Sequence, residues 1–188
     1  MLDAALAAYV PTRRGEVLAK QRMRALLVAG GDSLARSAFS PGHFTASAIV
    51  LSPDSAQLLL IHHARLQRWL QPGGHVESSD RTLADAALRE LTEETGLSVV
   101  VPVGGGIFDL DVHVIPARGS EPSHAHFDVR YLFRARTWEL RAGSGVHAAR
   151  WVPLAQVQRL EADDSVVGVA RKLGEAPHAE RGCFGASS

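Results

Sequence analysis

The stretch GGHVESSDRTLADAALRELTEETGL, residues 73–97, decides how the rest of the chain is read. It opens on Gly73-Gly74, a pair that interrupts regular structure, and passes through a polar segment to Thr82. From there the spacing predicts a helix to Thr95. Thr82 suits the N-cap, Asp85 stands where a capping-box acid belongs, and Gly96 is placed to end the helix. Leu83, Ala87 and Leu91, with Ala84 and Leu88 beside them, supply an apolar stripe. On the polar side, Glu90, Glu93 and Glu94 lie at i, i+3 and i+4, so their carboxylates converge on one face.

Like charges at these spacings cost a helix about a few tenths of a kcal/mol per pair. Arg89, four residues before Glu93, can neutralise only part of that charge. A hard divalent cation accounts for the rest, because Mg²⁺ and Mn²⁺ take oxygen ligands and share them with substrate phosphates. A bare E-x-x-E-E is ordinarily a solvated acidic face, and here the context argues otherwise. A Gly-Gly turn lies upstream, Arg89 directly precedes Glu90, and Gly96 closes the helix. Such a loop and helix can present a backbone carbonyl and three carboxylates to one ion.

The segment Gly74–Leu97 resembles the Nudix box, G-x5-E-x7-R-E-U-x-E-E-x-G-U with U aliphatic. Arg89, Glu90, Leu91, Glu93, Glu94, Gly96 and Leu97 match its second half, and Gly74 matches the opening glycine. From Gly74 to Arg89 there is one residue more than the pattern allows, so the middle glutamate falls near Asp80 or Arg81. The resemblance implies the Nudix fold, an α/β (α+β) arrangement with a mixed β-sheet sandwiched between helices. It also implies attack of water on a phosphoanhydride, turning a nucleoside diphosphate linked to a group X into NMP and P-X. Glu93 and Glu94 are then the first metal ligands, with Glu90 a ligand or a helper for the water. The Gly74 carbonyl is a further ligand, Arg89 orients the glutamates, and the cofactor is Mg²⁺, with Mn²⁺ as an alternative.

Outward from the box, His43–Leu51 and Gln57–His63 read as a strand hairpin. Leu97–Val103, Ile107–Ile115, Phe127–Thr137 and Ala148–Val152 read as further strands, with closing helices at 153–160 and 165–173. Toward the N-terminus, Thr12 is placed to cap a helix that ends at Gly30-Gly31, and 32–39 reads as a shorter helical piece. The expected organisation is therefore a helical extension packed on the domain (1–42), a Nudix domain (43–173) and a flexible tail (174–188).

Several residues outside the box are candidates for substrate. Arg65 is the best placed to meet phosphates, ahead of His62, His63 and Arg68, since guanidinium forks suit phosphate oxygens. Trp69 reads as core filling before base stacking. Asp109, Asp111 and His113 share one strand face, and His124 and His126 another. Histidine and aspartate there could bind a second metal or donate hydrogen bonds to substrate, and as a group they suggest a substrate-specificity element. Arg130 and Arg134 read as facing substrate anions or solvent. The stretch Gly143–His147 lacks the carboxylate that many family members carry there, which leaves His147, Glu121 or a box glutamate as general base.

Composition excludes other classes. Hydrophobic residues at 46% and charged residues at 21% describe a soluble globular chain. Twenty basic and twenty acidic residues cancel, so no long-range field draws in nucleic acid or a membrane surface. The expected partner is a small pyrophosphate, nucleotide-derived, with a homodimer as the assembly to test. Cys183 alone cannot form an intramolecular disulfide, no apolar run spans a bilayer and the N-terminus lacks a secretory pattern, so a cytoplasmic location is expected. Two alternatives share the box: an isopentenyl-diphosphate isomerase-like enzyme and a silent ligand-sensing domain. The first needs a cysteine within the site, whereas Cys183 lies in the tail. The second usually loses box glutamates, and all three are present.

Overall fold

The apolar run expected as the first strand forms β1 (Gly42–Leu51), buried along its whole length in the computed structural model. Its first half alternates His43, Thr45 and Ser47 with Phe44, Ala46 and Ala48, and residues 48–51 are continuously apolar. The structure describes residues 2–160 and 162–175; of the expected tail 174–188, Gly174 and Glu175 end the last helix, and the rest, with Cys183, lies outside the described residues. In chain order, α1 (Leu2–Ala8) and α2 (Arg14–Ala29) precede β1, and β2 (Gln57–His63), β3 (Arg68–Leu70) and β4 (Gly73–His75) follow it. Then come α3 (Leu83–Thr95), β5 (Val100–Ile115), β6 (His124–Ala135), β7 (Val146–Pro153), a 3₁₀ turn (Leu154–Arg159) and α4 (Asp164–Glu175). The seven strands form one sheet in the order β3-β2-β1-β6-β5, with β4 on β1 and β7 on β2. Sheet and helices together give the expected α+β class.

The chain divides into two compact units whose boundaries run through β1, α3, β5 and β6. The first holds residues 1–47, 73–87 and 106–131. Its helices bury Leu6, Ala19, Met23 and Leu26. Thr12 is not the cap of α2. Arg13 holds that position without a side-chain bond, while the Thr12 N–H donates to Glu16 Oε2 at 2.8 Å. Residues 32–39 form turns rather than a helix. Glycines before them and Ser40-Pro41-Gly42 after leave too few residues to repay helix nucleation. Gly73-Gly74 does more than interrupt the chain: β4 pairs with β1 through Thr45↔His75, Ala46↔Gly74 and Ser47↔Gly73. A Cβ on Gly73 would stand 2.3 Å from Ser47 Oγ and 2.8 Å from Ala46 O, so only glycine allows this pairing.

A buried arginine organises the same unit. Arg130 on β6, expected to face anions or solvent, has a side chain only 1% exposed. Its Nε donates to Asp128 at 2.8 Å, Nη1 to Asp109 at 3.1 Å and Nη2 to Asp111 at 3.2 Å. Asp128 also accepts the Thr45 and Ser47 hydroxyls, at 3.0 and 2.9 Å. Arg13 pairs with the other oxygen of Asp109, and the Tyr9 hydroxyl donates to Glu16 at 2.6 Å. Burial disfavours the Arg130 cation, yet the three aspartates outweigh it and raise its pKa further.

The second unit holds residues 48–72, 88–105 and those from 132 onward. β2 pairs antiparallel with β7 from Gln57↔Pro153 to His63↔Val146, with a bulge at His62/His63. Trp69 is half-buried rather than a core residue, and Arg150 lies over its ring, 4.0 Å from the centroid. β5, expected as two strands, is a single strand, with Gly104 at φ +78 within it.

Replacing Arg130 with leucine strands three carboxylates and should lower unfolding free energy by about 3–5 kcal/mol. Exposed Arg118→Leu should change it by less than about 0.5 kcal/mol. Urea unfolding measures both, and a loss below about 1 kcal/mol for Arg130→Leu would contradict the network's role.

Candidate active site

Helix α3 is defined at both ends by the residues expected to define it. The Asp85 N–H donates to Thr82 Oγ1 at 3.1 Å, an N-cap bond. At the other end Gly96 takes φ +67, and its N–H donates to the Thr92 carbonyl at 2.9 Å. Leu83, Ala86, Ala87 and Leu91 are buried, so Ala86 replaces Ala84 in the apolar stripe. The opposite side carries the acids: Glu90 and Glu93 have side chains 17% and 55% exposed, and Glu94 is almost buried.

Arg89 ties the first two together. Its Nη1 lies 3.0 Å from Glu90 Oε1 and 3.2 Å from Glu93 Oε2. One guanidinium thus pairs with two carboxylates on adjacent turns.

The stretch Gly143–His147, where a carboxylate is missing, acts on the helix backbone. The Gly143 N–H donates to the Glu94 carbonyl at 2.9 Å, and the Arg141 N–H to the Thr95 carbonyl at 2.9 Å. These bonds satisfy carbonyls that a helix C-terminus leaves open. A Cβ on Gly143 would stand 1.8 Å from the Glu93 carbonyl oxygen. Sequence reasoning missed this clamp, and its one signal was Gly143-Ser144-Gly145 in place of the acid.

The other candidates fall into separate groups. Arg65 is exposed in the turn after β2, where His63 Nδ1 accepts its N–H at 3.1 Å. Arg68 meets Asp163 only at 3.5 Å, between two exposed side chains. His147 lies 3.1 Å from Gln67 Nε2 and stacks on His62. Glu121 pairs with Arg36 at 3.4 Å. Asp80 accepts the Glu77 N–H at 2.8 Å and so shapes the loop before α3. A cavity of about 480 Å³, lined by Leu154, Val167, Ala170 and neighbours, includes none of the site candidates.

Gly74, His124 and His126 belong to the first unit, where the histidines join a cluster. His43 is wholly buried, with His124 and His126 centroids 5.1 and 4.9 Å from its own. His75 lies 5.0 Å from His43 and 5.1 Å from His126. His113, expected on a separate face, reaches the cluster as well, 5.6 Å from His126. Burial, then the neighbouring rings, push His126 down to about 2. His113 moves the other way: burial lowers it, but its bond to Asp111 and the charges of Asp128 and Asp111 raise it overall.

The NUDIX domain model matches residues 42–172. The chain belongs to the Nudix family. A Danio rerio relative, m7GpppN-mRNA hydrolase NUDT17, is 43% identical over 72 residues, an alignment covering 36% of this Nudix chain and 24% of that protein. Two solved structures share the fold. A NUDIX-family hydrolase from Clostridium perfringens is 20% identical with a TM-score of 0.54, covering 70% of this chain and 95% of its own. The NUDIX domain of Shewanella oneidensis NrtR, in complex with ADP ribose, is 18% identical with a TM-score of 0.55, covering 93% of this chain and 97% of its own.

Gly143→Ala should push the loop off the last turn of α3, costing about 1–3 kcal/mol of stability. If the glutamates form the working centre, activity should fall further than the loss of folded protein explains. Calorimetry and turnover on the same sample measure the two effects. Wild-type values for both would show that the clamp is not needed.

Proposed function

We propose that this Nudix chain hydrolyses a phosphoanhydride that joins a nucleoside diphosphate to a second group, releasing NMP and P-X. The observation that carries this reading is the carboxylate set on α3, where one arginine nitrogen fixes Glu90 and Glu93 within 3.2 Å. Carboxylate oxygens are hard donors, and their chemistry fits Mg²⁺, with Mn²⁺ as a substitute. Glu93 and Glu94 hold the ion, and Glu90 joins them or takes a proton from the attacking water. An ion held there would screen phosphate oxygens, activate water and stabilise the departing phosphate. Arg89 is a positioning residue, keeping two carboxylates from splaying apart. Arg65, exposed in the same unit, meets the substrate's phosphates.

The relatives bear on the substrate class. NUDT17 is named for an mRNA cap, and the NrtR domain was solved with ADP ribose. Both molecules link a nucleoside through phosphoanhydrides to a second moiety. A formal net charge of zero favours a small molecule of this kind over a long polyanion. Among the described residues no helix is long and apolar enough to cross a membrane. With a single cysteine, the cytoplasm is the location we favour.

Phosphate release from a panel of nucleotide and dinucleotide pyrophosphates, with Mg²⁺, Mn²⁺ or EDTA, tests the proposal. Metal-dependent turnover of at least one member is expected, lowered on the order of a hundredfold or more in Glu94→Gln, which removes a metal ligand. Turnover that survives EDTA, or a folded Glu94→Gln protein at wild-type rate, would overturn it.

A further inference from the structure

We propose that His43, His75 and His126 form a second metal site, which takes a divalent transition ion of the Zn²⁺ type. Their ligand nitrogens all lie within 4.8 Å of one another, brought together from β1, β4 and β6 inside one compact unit. The inference goes beyond the α3 carboxylates and differs from them in chemistry. Imidazole suits zinc, copper, iron and nickel, whereas Mg²⁺ takes oxygen.

The decisive residue is His43. It has no exposed surface, and its Nδ1 lies 3.2 Å from the Ala38 carbonyl, which can only accept. Nδ1 therefore carries the hydrogen, and Nε2 of the neutral ring presents a lone pair. That Nε2 is buried with no hydrogen-bond partner among the described residues. A buried acceptor left in this way calls for an explanation, and an ion is one. Donation of the remote ring N–H to a carbonyl is also the usual outer-shell arrangement of a metal-bound histidine.

His124 repeats the pattern. Its Nδ1 donates to the Pro122 carbonyl at 2.8 Å, which turns Nε2 toward His126 Nε2 at 3.3 Å. Two nitrogens bound at 2.0–2.1 Å to one tetrahedral zinc stand roughly 3.3 Å apart. His124 thus borders the site through His126, while the three nitrogens that converge are those of His43, His75 and His126. The aspartates nearby are engaged elsewhere: Asp109, Asp111 and Asp128 hold Arg130, and Asp111 also bonds His113 at 2.8 Å. The proposed site therefore draws on imidazoles, with the aspartates left to Arg130 and His113.

The test uses the full chain, stripped with a chelator and titrated with Zn²⁺ against a chromophoric competitor. Co²⁺ titration, followed by visible absorption, reports the coordination directly. One tight equivalent should bind Glu93→Gln/Glu94→Gln as it binds wild type, and His126→Asn should weaken that equivalent at least about a hundredfold, beyond the usual effect of an outer-shell change. X-ray absorption of zinc-loaded wild type requires no variant to fold. It should show a nitrogen shell with imidazole scattering. No binding by wild type, binding lost with the two glutamates but kept in His126→Asn, or a sulfur or all-oxygen shell would each overturn the site.

Discussion

One guanidinium out of reach of water sets the terms for the first unit. Arg130 cannot be buried alone, so Asp109 and Asp111 on β5 and Asp128 on β6 must face it, and Thr45 and Ser47 on β1 must saturate Asp128. Arg13 then closes the remaining side of Asp109 and draws the start of α2 into the same network. Because strand side chains alternate, this choice fixes what else lies on that face. His43 precedes Thr45 by two residues, His126 precedes Asp128 by two, and His113 follows Asp111 by two. A single polar stripe results, ionic at one end and imidazole at the other. The ionic part is closely paired, and His43 Nε2 is where pairing stops.

In the second unit the corresponding problem is crowded charge on α3. Its solution is local: Arg89 between Glu90 and Glu93, and backbone bonds from Arg141 and Gly143 that hold the last turn. Rigid presentation of carboxylates is what the proposed metal-dependent chemistry would need, because misplacement of a ligand by an ångström is costly to it.

What was legible in the sequence was what local rules control. The α3 cap and the β1–β2 hairpin depend on residues close in sequence and form where expected, and the α3 stripe differs only in Ala86 standing for Ala84. The short strands β3 and β4 did not show, since three residues carry no periodicity. Arg130 was misread for a physical reason: a lone charge on a strand defaults to solvent unless its distant partners are known. Trp69 was likewise misread, because its covering partner Arg150 is far along the chain. The Gly143 clamp was hidden because its clash is with the backbone of α3, a tertiary fact. The imidazole cluster was half visible. His124 and His126 stood out by spacing, but His43 and His75 joined them only through strand pairing.

The central claim is that the α3 glutamates hold a divalent cation. Electron paramagnetic resonance of Mn²⁺, titrated into the full chain and into a Glu90→Gln/Glu93→Gln/Glu94→Gln variant, tests it without any assumption about substrate. The account predicts that wild type removes free Mn²⁺ signal and that the triple variant does not. Equal Mn²⁺ uptake by both proteins would contradict it.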